Sequence, residues 1–162
     1  MSIALFHKGL HSLWNSSGLD AFIKNYWIAD PECFQSLCDT NAAPGQPFPY
    51  VVYEQLAGDI DSRMSQDINT NYMHRDVPLL FHIYAAGSSG NWSSKGVGVL
   101  ILDELTKVFG GHPTVSPQTV ALDSGCVINF QFTRDYHLKE DDDVSHWVVE
   151  YMPKIEQSFK VA

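Results

Sequence analysis

Seven histidines, three cysteines and nineteen carboxylates are the residues of this chain with chemistry to offer. Their spacing decides what they can do. His7 and His11 stand at i and i+4, the spacing at which two imidazoles on one helix share a zinc ion. Lys8 occupies the place where His-Glu-x-x-His enzymes carry their glutamate, so the pair reads as two polar positions on a helix flank. Asp67-Ile-Asn-Thr-Asn71 has the opening spacing of a calcium loop. Tyr72, however, replaces the glycine of its sharp turn, and Pro78 replaces its bidentate glutamate.

Cys33, Cys38 and Cys126 cannot build a four-cysteine zinc site, and a redox pair would read Cys-x-x-Cys. Free thiols are expected, with Cys126 a small core residue in its alternating segment. Gly96-Val-Gly98 opens like a dinucleotide fingerprint, but Ile101 stands where the third glycine belongs. The sequence carries no phosphate loop, nucleophile elbow or kinase signature, and nothing sets a serine nucleophile beside a base. His82, inside an apolar stretch, is expected to be a hydrogen-bonded, half-buried imidazole on one sheet face. The residues therefore predict no catalytic, metal or cofactor site, and a protein that is not an enzyme.

The elements that carry these residues alternate between helix and strand. Ile3, Phe6, Leu10, Leu13 and Trp14 recur at helical spacing after Ser2, and the pattern stops at Asn15-Ser-Ser-Gly18. Phe22 to Ile28 reads as a possible strand, and Glu32–Pro47 as a loop. Phe48–Gln55 and about Asp76–Ala86 are rich in β-branched and aromatic residues, with Pro78 at a bulge, an edge or the first paired position. Ser93 or Ser94 caps a helix whose Val97, Ile101, Leu105 and Val108 share a face, stopped by Gly110-Gly111 and Pro113. Gly96 and Gly98 each cost that helix about 1 kcal/mol relative to Ala, which points to close packing or a frayed first turn. Cys126, Ile128, Phe130 and Phe132 face one way and Val127, Asn129, Gln131 and Thr133 the other, and Trp147, Val149 and Tyr151 repeat the pattern. Between them Arg134–Ser145 reads as a solvated hairpin extension with an acidic tip.

This order predicts a single α+β domain over 1–162: a mostly antiparallel sheet, two main helices on one face and an extended C-terminal β-hairpin. With 162 residues, 44% hydrophobic and 18% charged, the chain can bury a core without disulfides or metal. Ten basic against nineteen acidic residues give a net charge of −9, which disfavours nucleic acid as a ligand. The odd cysteine count and the uncharged start Met1-Ser-Ile-Ala-Leu-Phe predict a reduced, cytoplasmic origin, and no run of about eighteen apolar residues offers a membrane span.

Pro49-Tyr-Val-Val-Tyr-Glu54, Val77-Pro-Leu-Leu-Phe-His-Ile-Tyr-Ala85, the helix to Phe109 and the closing hairpin with His146-Trp-Val-Val-Glu-Tyr151 resemble, over most of the chain, the tail-terminator (tail-completion) proteins of long-tailed bacteriophages. The long Glu32–Pro47 segment and the extended acidic hairpin depart from that pattern. The resemblance implies a virion protein of the tail and neck, made in the host cytoplasm. It implies a homo-oligomer, a hexameric ring, that caps the tail tube and meets the head connector or head-closure protein, with DNA only passing through the lumen. A head-closure or adaptor protein of the same neck is the near alternative. A module that binds a small ligand or peptide on an exposed patch of Trp27, Trp92 or Trp147 is an alternative of another class.

Under the ring reading, the polar segment Gly58–Asn71 and the hairpin Arg134–Ser145 are the candidate subunit interface or lumen surface. The residues singled out are Asp59, Asp61 and Arg63 in the first, and Lys139, Glu140, Asp141, Asp142 and Asp143 in the second. Their negative charge would keep passing DNA from sticking.

Overall fold

In the computed structural model the described residues are 3–27, 34–56, 65–67, 70–87, 93–114, 119–122, 126–139 and 143–160. Helix α1 (Ile3–Ser16) turns Phe6, Leu10 and Trp14, one helical stripe, fully inward. Gly18, with φ 83°, ends the turn and opens α2 (Leu19–Lys24), where a strand was expected from Phe22 onward. The reason is visible in pairs four apart. Leu19 and Ile23 bury together, while Asp20 and Lys24 pair at 2.9 Å on the other side. Helix α3 (Ser94–Phe109) starts as the sequence predicts, with the Ser93 hydroxyl accepting from the Gly96 N–H at 3.2 Å. Val97, Ile101 and Leu105 are buried as expected, and Phe109 rather than Val108 completes the stripe.

Among the described residues the strands are β1 (Leu37–Asp39), β2 (Tyr50–Gln55), β3 (Ser65–Asp67), β4 (Thr70–Asp76) and β5 (Leu79–Ala86) before α3, and β6 (Thr119–Leu122), β7 (Cys126–Asn129), β8 (Phe132–Lys139), β9 (Val144–Tyr151) and β10 (Lys154–Lys160) after it. The fold is α+β, but the strands form two five-stranded sheets rather than one, in the orders β1-β2-β5-β9-β8 and β3-β4-β10-β7-β6. Three long runs of chain cross from one sheet to the other through two residues each: Val77-Pro78, Phe130-Gln131 and Met152-Pro153. Their register does not slip at the crossing. Leu79 faces Tyr151 on one side of it and Asp76 faces Lys154 on the other. Val77 donates to the Pro153 carbonyl at 2.9 Å, and Met152 to the Gln131 carbonyl at 2.8 Å. Pro78 and Pro153 lie in adjacent runs and supply no N–H, so the ladder is interrupted at this level.

The alternation read from Cys126 to Phe132 as one strand thus divides at Phe130-Gln131, with Phe130 buried and Phe132 36% exposed. The segment Arg134–Ser145, read as an extension beyond the strands, is largely β8 and the start of β9 themselves. The loop expected over Glu32–Pro47 contains β1, which pairs in parallel with β2, Leu37 facing Val51. The turn-prone stretch Gly58–Asn71 contains β3 and the first residues of β4, with Asp67 facing Thr70 in a hairpin instead of curling round an ion.

One core joins all three helices to one face of the first sheet, through Val51, Tyr53, Leu79, Phe81, Ile83, Val149 and Tyr151. Trp14 stacks on Phe81 at 6.1 Å, and Phe109 meets Phe81 at 5.0 Å. Helix α3 lies close against β9 because residue 98 is glycine. A Cβ there would sit 2.8 Å from the Trp147 ring, which makes close packing, not a frayed turn, the reason for Gly98. At the other end of α3, Gly111 has φ 98°, and a Cβ would fall 2.4 Å from the Phe132 ring. A polar chain ties β1 to the helices. The Trp14 indole donates to Ser36 Oγ at 3.0 Å, and Ser36 donates to Asp20 at 2.5 Å.

Candidate functional site

Strict alternation puts the other face of the first sheet outside this core, and register aligns its side chains in rows across four strands. Tyr50, Tyr84, His146 and Leu138 form one row. Val52, His82, Val148 and Tyr136 form the next, and Glu54, Leu80, Glu150 and Arg134 the third. The face therefore grades from aromatic at one end to charged at the other. The middle of this face is not left to solvent: Val148, His146 and Val52 are buried, and Tyr50, His82, Tyr84 and Tyr136 around them are half-buried.

The rows are locked by their own contacts. Tyr50 stacks on Tyr84 at 5.2 Å, and Tyr84 on His146 at 4.2 Å and 21°. Phe48, 38% exposed, extends the row from Tyr50 at 5.0 Å. His82 is the half-buried, hydrogen-bonded imidazole the sequence led to expect. Its Nδ1 lies 2.9 Å from His146 Nε2, and its Nε2 lies 3.2 Å from Glu54 Oε2. One proton fits between the two rings, so the pair works as a hydrogen bond only while at least one of the facing nitrogens is bare. At the charged end Arg134 makes two bonds to Glu150, 2.6 and 3.1 Å, and lies 5.3 Å over the Tyr136 ring. Leu138, in the aromatic row at the other end, stays 42% exposed.

Strand β8 ends this sheet among the described residues, and residues 131–135, 137 and 138 are exposed along it. Of the acidic hairpin residues, Lys139 closes β8 opposite Ser145, and Asp143 is exposed in the turn with its carbonyl accepting from Gly87 at 3.1 Å. Glu140, Asp141, Asp142, Asp59, Asp61 and Arg63 lie outside the described residues. Trp92 lies outside them too. Trp27 is buried and donates to the Pro49 carbonyl at 2.8 Å, while Trp147 is half-buried on the core side against Gly98. The patch of exposed tryptophans is therefore replaced by a face of tyrosines and histidines.

His7 and His11 converge on a phenol. Tyr53 Oη lies 2.8 Å from His7 Nδ1 and 3.2 Å from His11 Nε2, which pins α1 to β2. Burial, then the neighbouring Asp39 carboxylate, pushes the Tyr53 phenol up to about 12. Burial, then the His7 charge, lowers His11, against the pull of Asp39. Among the described residues no three His, Cys, Asp or Glu side chains are placed to hold a metal ion. No helix among them is long and apolar enough to cross a membrane. No protein-family model and no curated protein matches the sequence.

Proposed function

We propose that the chain is a structural subunit of a bacteriophage neck, a tail terminator that assembles into a ring of six, caps the tail tube and meets the head connector. The observation that carries this reading is the outer face of the first sheet: a registered row in which Tyr50 and Tyr84 are half-buried beside the buried His146, with Phe48 exposed at its end. Half-covered aromatic faces of this kind mark contact surfaces. The family resemblance, which rests on an opening helix, strands β2 and β5, helix α3 and the later β8–β9 pair, supports it as well. The side chains of that face are spent on each other and on packing, which suits docking better than chemistry. DNA enters only as cargo, since the net charge of −9 repels it.

The experiment is the mass of the full chain in solution by light scattering, with negative-stain images of any large species. A ring of six supports the reading, and a chain that stays monomeric or dimeric at every concentration overturns it. The tyrosine and histidine face also favours a second reading, a peptide-binding module. That reading expects a monomer whose Tyr84→Ala variant loses peptide binding.

A further inference from the structure

Strand β8 carries its own complement. Antiparallel pairing alternates backbone groups between the two neighbours of a strand, and two bonds fix the phase here. Met152 donates toward Gln131, and Val77 donates toward Pro153, so even-numbered residues of β9 turn their backbone to β8 and odd-numbered ones to β5. Glu150, Val148 and His146 face Arg134, Tyr136 and Leu138, which therefore spend their amides on β9. Asp135 and His137 turn their N–H and C=O groups away from the sheet, along an exposed edge.

We infer that this edge pairs with the same edge of a second copy, antiparallel and twofold, with Tyr136 on the axis. In that register Asp135 of each chain lies opposite His137 of the other, and the two outward-turned pairs exchange four backbone hydrogen bonds. The side chains agree with the backbone. A carboxylate meets an imidazole twice on one face, and His137, whose Nε2 lies 3.1 Å from Ser145 Oγ, keeps Nδ1 for that carboxylate. On the other face Tyr136 meets Tyr136, flanked by Arg134 and Leu138.

The competing registers are poorer. Centring the pair on Asp135 sets two carboxylates opposite each other, a like-charge pairing that sheets avoid. Centring it on His137 sets the imidazoles against each other and opposes only residues 135–139, where the Tyr136 register opposes 133–139. Among the described residues β8, eight residues long and exposed at 132–135, 137 and 138, is an edge and a ready template for a strand, and the other edge strands, β1, β3 and β6, have three, three and four residues. The occupant is a second copy because the charges of β8 match β8. The inference does not rest on the ring. A twofold contact saturates itself and builds no ring, so a ring must use another surface.

The test is a charge swap with a cross-link. His137→Asp alone sets carboxylates opposite one another twice, and Asp135→His alone removes both carboxylate–imidazole pairs; each should weaken association about threefold to tenfold. The double variant Asp135→His with His137→Asp restores the pairs and should return association to the wild-type level by sedimentation equilibrium. Tyr136→Cys, on the axis, should form a disulfide-linked dimer on mild oxidation, where the wild type and Thr133→Cys do not. Full association in both single variants, or a folded Tyr136→Cys no more cross-linked than wild type, overturns the inference. A dimer held by β8 without larger species would leave this inference standing while overturning the ring.

Discussion

Tyr53 joins three titratable neighbours to the sheet, and its chemistry is measurable. Replacing it with Phe removes the contacts to His7 and His11 and should cost about 1–2 kcal/mol in urea unfolding. The phenol titrates near 10.0 when free and near 12 in the fold, so the folded chain holds its proton longer. A raised pKa contributes stability that is complete below pH 10 and is lost as pH rises toward 12. Alkaline unfolding should therefore steepen in that window, and Tyr53→Phe should remove part of the slope, whereas an unchanged slope would contradict the burial of the phenol. Burial raises Tyr151 in the same direction, and its hydroxyl donates to the Gly110 carbonyl at 2.6 Å, so some slope remains in the variant. Gly98 supplies a second residue-scale check. Alanine is the better helix former by about 1 kcal/mol, yet its methyl meets Trp147 at 2.8 Å. Overpacking wins in this account, and Gly98→Ala should destabilise by about 1–3 kcal/mol in the same assay.

At the scale of elements, the hairpin separates folding from assembly. Among its described residues, Asp143 is exposed and its carbonyl accepts from Gly87. Deleting Lys139–Val144 should leave far-ultraviolet dichroism and the melting temperature close to wild type, while impairing ring formation or tail-length control. Unchanged particle assembly would remove the hairpin from the interface.

What the sequence makes legible at this scale follows the range of the signal. Helix α3 is readable because Ser93, the apolar stripe and Gly110 are local. Strands β2 and β5 are readable because alternation is local too. Strand β1 is not, since three residues around Cys38 become a strand only by pairing in parallel with β2. The division into two sheets is equally hidden. Pro78 and Pro153 look like separate punctuation until register sets them in neighbouring runs. The outer face is hidden for the same reason: Tyr50, Tyr84, His146 and Leu138 are far apart in sequence, and only long-range pairing lines them up. The hydrogen bonds of His82 lay within reach of sequence reasoning, but its partners, Glu54 and His146, did not.

For the whole molecule, one face of the first sheet carries the core and the other carries the aromatic and charged rows. Three helices cover the former through a continuous aromatic core, while on the latter the half-buried Tyr50 and Tyr84 stack in one row with the buried His146. An acidic chain with net charge −9 resists random association, so contact must come from matched surfaces rather than from charge alone. The most direct measurement is light scattering of the purified full chain across a wide concentration range, with negative-stain imaging of what forms. A ring-forming subunit should give closed rings with the mass of six chains, growing at the expense of smaller species as concentration rises. A mass that never exceeds two chains would contradict it.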